Sequence, residues 1–147
     1  MNLETVLGHL GAVILIAAFV LLIYALALRE SRRAKARKAV LEALEEELGA
    51  LQQKISIATT PEIPGKTVAG ELGAVTAEGV AGAGFQRVAE RRALLSLMQR
   101  ALALGADAVI NVRHEALIPG TTQLRLGRVI LAGTAVKLSE SRGPVAS

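Results

Sequence analysis

The feature that most limits what this chain can fold into is "TVLGHLGAVILIAAFVLLIYALAL", Thr5 to Leu28, 24 residues without Lys, Arg, Asp or Glu. As a helix it is about 36 Å long, enough to cross a hydrocarbon layer of about 30 Å. A cleaved signal peptide is the competing reading, and Ala25-Leu26-Ala27 has the small residues of a cleavage site. Against it, Glu4 stands where such a peptide carries positive charge, and the apolar run exceeds the usual length. The sequence predicts a transmembrane anchor over residues 1–28. Within it, Gly8 and Ala12 form a small-xxx-small pair, and His9 lies close enough to the outer interface to argue against a proton relay.

The whole chain has 17 Lys/Arg and 13 Asp/Glu, a formal charge of +4. Six of those cations, Arg29, Arg32, Arg33, Lys35, Arg37 and Lys38, stand in "RESRRAKARK" beside a single Glu. The rest of the chain is nearly neutral, so the basicity is a local device. Positive charge flanking a span stays on the cytoplasmic side, which predicts a single-pass protein of the cell inner membrane with its N-terminus outside and its C-terminal domain cytoplasmic. The six side chains are expected to contact anionic lipid head groups. A nucleic-acid partner is not expected, because no aromatic residues are interleaved with the charges.

In "KAVLEALEEELGALQQKI", Leu41, Leu44, Leu48, Leu51 and Ile55 recur at alternating spacings of three and four. Such a row is either the a/d seam of a two-heptad coiled coil between copies or the buried face of one helix lying on its own domain. Glu42, Glu45, Glu46 and Glu47 read as a solvated face. Residues 29–55 are thus a basic juxtamembrane segment and a helical stalk.

Beyond Ile55 the pattern becomes extended. "ISIATT", "KTVAGELGAVTAEG", "ADAVINVRHEAL" and "RVILAGTAVKL" are strand candidates, with turns at "PEIPG" and "IPGTTQ". "FQRVAERRALLSLMQRALALG" reads as a helix stopped by Gly105. The expectation is an α+β domain over residues 56–138, about four strands packed on one main helix, with a flexible tail at 139–147.

Gly79, Gly82 and Gly84 precede the helix without matching a phosphate-binding fingerprint, since Phe85 stands where a lysine is needed; a flexible turn is the better reading. Arg87, Arg91 and Arg92 read as the helix's polar side. The helix carries two apolar stripes, Val88, Leu95, Met98, Leu102 and Leu94, Leu97, Ala101, Leu104, and so needs two partners. One is its own sheet, and the other is most simply a second copy of the chain. That places Leu94, Leu97, Ala101 and Leu104, with Leu41, Leu44, Leu48 and Leu51, at an oligomer interface.

The polar run "LGADAVINVRHEA" holds most of the remaining chemistry. In a regular strand Ala108, Ile110, Val112, His114 and Ala116 share one face, and Asp107, Val109, Asn111, Arg113 and Glu115 share the other. His114 and Glu115 then cannot chelate together, His114 packs beside Ile110 and Val112, and Asn111, Arg113 and Glu115 read as a cross-strand polar ladder or the edge of a shallow pocket. With no Cys and no Trp there is no thiol nucleophile, disulfide or zinc knuckle, and no cofactor or catalytic constellation is expected.

The run "TTPEIPGKTVAGELGAVTAEGV", then a helix, then "ALALGADAVINVRHEA" and "GTAVKL", resembles the small bacterial YbjQ-like proteins, labelled heavy-metal-binding. The resemblance covers residues 56–138 and implies a compact α+β domain whose soluble forms assemble as rings, often pentamers. A soft-metal site here would need His114 repeated around a symmetry axis. Together these readings predict a membrane-anchored homo-oligomeric scaffold or interaction module. The alternative is a ligand- or metal-binding sensor with its site between subunits.

Overall fold

The computed structural model describes residues 3–120 and 126–140. The chain divides into two compact units, residues 1–38 and 39–147. Helix α1, Leu3–Gln52, is long and apolar enough to cross a membrane. In the first unit its side chains from His9 to Lys38 are all exposed, Leu15 by 72% and Leu21 by 67%.

The second unit is α+β. It holds the last turns of α1, then β1 (Ser56–Ile57), β2 (Lys66–Ala81), α2 (Gln86–Ala103), β3 (Ala108–Ile118) and β4 (Gly127–Glu140). The four strands form one mixed sheet in the order β1-β3-β4-β2, with β1 parallel to β3 and the other pairs antiparallel. The expected strand "ISIATT" is regular only at Ser56–Ile57. Its line continues as hydrogen bonds from Ala58 N–H to Val109 and from Asn111 N–H to Thr60. The expected tail begins inside β4, which runs to Glu140, and residues 141–147 lie outside the described residues.

Helix α2 packs on the face of the sheet carrying Val75, Ala77, Gly79 and Ala81 of β2 and Val129, Leu131 and Ala135 of β4. Approach is closest at Gly79, where a Cβ would lie 1.8 Å from the Ala89 carbonyl oxygen and 2.5 Å from the Ala93 nitrogen. Ala89 and Ala93 are fully buried, so three small residues let helix backbone rest on strand backbone. Gly79 therefore belongs to β2, and the glycine-rich turn shrinks to Gly82–Phe85.

The second partner of α2 is the chain itself. Leu48 is 3% exposed and Ile55 1%, in one cluster with Leu97, Met98 and Ala101 of α2, and Leu41, Leu44 and Leu51 pack half-buried against it. Of the two readings of the leucine row, this is the helix lying on its own domain. It also corrects the interface expectation, because Leu97 and Ala101 are fully enclosed within one chain. Leu94 is half-buried, and only Leu104, 50% exposed, remains open. Two apolar stripes were satisfied by two elements of the same chain, so a second copy was not needed to cover them. Leu97→Glu should consequently unfold the domain instead of dissociating an oligomer.

Strand β3 departs from regular alternation. Asn111 has a positive φ of 53°, and the pairing with β4 shifts between Ile110 and Arg113 and again between His114 and Ala116. The first bulge turns Val112 to the helix side with Val109, while Ile110 packs behind the sheet with Ala108, Val136, Ile63 and Leu138. The sequence pattern had put Val112 with Ile110; an αL residue at 111 inverts the phase that alternation assumes.

Gly79→Ala is expected to cost about 3 kcal/mol or more, because the obstacle is backbone that cannot rotate away. Gly49→Ala, at an exposed helical position with nothing within 4 Å of its Cβ, should instead gain about 0.5–1 kcal/mol. Equilibrium denaturation of the two variants separates these outcomes.

Candidate functional site

Most of "LGADAVINVRHEA" serves the fold. Gly105, at φ 78°, closes α2 with Gly105 N–H donating to the Leu102 carbonyl and Ala106 N–H to that of Ala101, a Schellman stop that needs a left-handed residue. Asp107 then clips the next strand into place. Its carboxylate accepts from Leu138 N–H at 3.1 Å and from Lys137 Nζ at 3.3 Å. The backbone bond first, and the Lys137 ammonium second, hold its pKa below the usual aspartate value. Arg113 and Glu115 form a long surface pair at 3.9 Å.

His114 is exposed, not packed beside Ile110 as the alternation implied; the bulge leaves Ile110 on the opposite face. It borders a cleft of about 580 Å³ within the second unit. The floor is apolar, from Leu41, Ile57, Leu94, Val112 and Leu131. Around the rim stand Glu45 of α1, Thr59, Arg87, Glu90 and Arg91 of α2, and Arg113 and His114 of β3. Arg91 reaches Glu45 at 3.9 Å, a loose pair between exposed side chains. The volume lies within the range of about 300–1,000 Å³ spanned by small-ligand clefts.

The other arginines of α2 are structural. Arg92 donates to the Val80 carbonyl at 2.8 Å, and Arg100 donates to that of Thr76. Two carbonyls of the long edge strand β2 are thereby occupied, which blunts an edge otherwise open to pairing with another chain. Behind the sheet, Arg128 grips Glu78 with two bonds, 2.7 and 2.9 Å. That hydrogen bonding lowers the Glu78 pKa and raises that of Arg128.

Sequence reasoning singled out Leu41, Glu45, Arg87, Arg91, Leu94, Val112, Arg113 and His114 separately and not as a group, and it did not single out Ile57, Thr59, Glu90 or Leu131. Their assembly depends on the last turns of α1 docking beside α2 and on the phase inversion at Asn111. A non-glycine residue in the left-handed region leaves one legible trace, since asparagine tolerates it better than most. In the first unit, Arg29, Arg32 and Arg33 share one side of α1 with Ala25, Leu28 and Ala36. Lys35, Arg37 and Lys38 are also exposed.

Residues 85–139 match the model of the YbjQ family, described as "Putative heavy-metal-binding". No curated protein matches the chain. Among solved structures, a protein of unknown function in the DUF74 family from Pediococcus pentosaceus ATCC 25745 is 16% identical, with a TM-score of 0.47, over 58% of this chain and 98% of that one. The family match takes in α2, β3 and nearly all of β4, so this part of the second unit is YbjQ-like.

The donors of this chain do not fit a heavy metal. It has no Cys, and among the described residues no three His, Cys, Asp or Glu side chains converge. His114 shares its cleft with Arg87, Arg91 and Arg113, whose charge opposes a cation. Zinc calorimetry should give no tight stoichiometric binding, and His114→Ala should leave the titration unchanged.

Asp107 yields a second test. Its folded pKa is depressed, so its contribution to stability is complete above the ordinary value of 3.8 and is lost as pH falls through the lower folded value. Asp107→Asn should lower the melting temperature near neutral pH, and the gap from wild type should close in the acid range below about 3.8.

Proposed function

We propose that this chain is a single-pass inner-membrane protein, N-terminus outside, whose cytoplasmic domain is a homo-oligomeric interaction module. The observation that carries the reading is the order of features along α1: an exposed apolar stretch, then Tyr24, then six exposed cations within ten residues. A soluble protein would bury such a stretch in its own core, and among the described residues the side chains from His9 to Leu28 are exposed. Tyr24 fits the aromatic belt at a bilayer interface, and Arg29, Arg32, Arg33, Lys35, Arg37 and Lys38 follow where anionic head groups lie. A signal peptide would carry its cations before the apolar run, not after it.

The oligomer now rests on different residues from those the sequence suggested. Leu117 is 49% exposed, Ile118 47% and Leu126 56%, all at the β3–β4 end of the sheet, where a neighbouring copy would remove them from water. A ring is what the YbjQ resemblance implies.

A cysteine introduced at Ser141 should resist a membrane-impermeant thiol reagent in intact cells, and one at Asn2 should react; the reverse pattern would invert the orientation. A soluble fragment beginning at Ala39 should sediment as an oligomer, and Ile118→Glu should shift it to monomer without unfolding it. A monomeric, folded wild-type fragment would remove the oligomer from the reading.

A further inference from the structure

The cleft walled by α1, α2 and β3 has a chemistry that the membrane-module reading leaves unused. We propose that it binds a small monocarboxylate with an apolar body, its chain on Leu41, Leu94 and Val112 and its carboxylate at Arg87. Four observations lead to this class of ligand.

The first is shape. A cleft of about 580 Å³ with five apolar side chains in its floor takes a ligand of roughly acyl or aryl size. The second is the state of Arg87. It is exposed, and among the described residues it has no ion-pair or hydrogen-bond partner, unlike Arg91, Arg92, Arg100 and Arg113. A guanidinium is matched in geometry to a carboxylate, which it can hold through two parallel bonds.

The third is local field. Arg87 stands in the first turn of α2, a turn without an acidic residue, so the positive end of the helix dipole adds to its charge. The fourth is charge balance. Arg87, Arg91 and Arg113 face Glu45 and Glu90 around the rim, an excess of one guanidinium over the carboxylates. That matches a monoanion, while the two glutamates penalise a dianionic phosphate monoester and the arginines reject a cation. A ligand held there touches α1 through Leu41 and Glu45, so occupancy would also brace the last turns of α1 against the domain.

The test uses the full chain in phosphatidylcholine nanodiscs with methyl-labelled Leu, Ile and Val, titrated with octanoate, octan-1-ol and octyl phosphate. Protein-free discs correct for partition into lipid. Octanoate should move the Leu41, Ile57, Leu94 and Val112 methyls saturably while Leu117 and Ile118 stay fixed. The alcohol and the phosphate should bind at least about tenfold more weakly, and Arg87→Gln should weaken octanoate by about tenfold with the unfolding midpoint unchanged. Arg87→Lys should recover part of that loss. The proposal is overturned if octanoate leaves the cleft methyls unmoved, if octanol or octyl phosphate binds as well, or if Arg87→Gln has no effect. None of these outcomes bears on the labelling or sedimentation experiments.

Discussion

Helix α2 is apolar on two sides, and burying both of them organises the second unit. One side meets the sheet at the distance of backbone on backbone, permitted only because Gly79 faces Ala89 and Ala93. The other is closed by Leu48 and Ile55, with Leu44 and Leu51 around them. A buried leucine contributes about 2–3 kcal/mol relative to its exposed state, so removing this second cover would cost a large fraction of a small domain's stability. The last turns of α1 are accordingly core, not stalk. That shared helix makes the cleft possible, since one of its walls is α1.

The division of labour among polar residues follows from the same geometry. Asp107, Arg92, Arg100 and the Glu78–Arg128 pair are tied to backbone groups or to each other and hold strand positions. Arg87 and His114 are not so tied, and both stand at the cleft. Unspent polar groups around an apolar floor are a better guide to binding than any single residue type, and here they point away from metal and toward an anion.

The sequence was legible wherever local chemistry decides the outcome. The apolar run, the basic flank, the stop of α2 at Gly105 and the four strand candidates all follow from composition, periodicity or a required left-handed residue. It was less legible wherever a distant partner decides. The leucine row from Leu41 to Ile55 has one periodicity for two kinds of partner, so spacing could not choose between a second copy and α2. The second stripe of α2 was assigned to a neighbour for the same reason. Val112 and His114 were misplaced because alternation fails after a single αL residue, and Asn111 is only a weak signal for one. Gly79 looked like part of a loop because its role, contact with the α2 backbone at Ala89 and Ala93, is made beyond the turn that follows it.

The most direct test of this account is whether residues 39–52 belong to the folded domain. Equilibrium urea denaturation would compare a fragment beginning at Ala39 with one beginning at Gln53, which lacks Leu48 and its neighbours. The account predicts cooperative unfolding of the longer fragment. The shorter one should lose several kcal/mol, on the scale of about 2–5 for each large buried side chain removed, or fail to fold. Equal stability and superimposable spectra for the two fragments would contradict it.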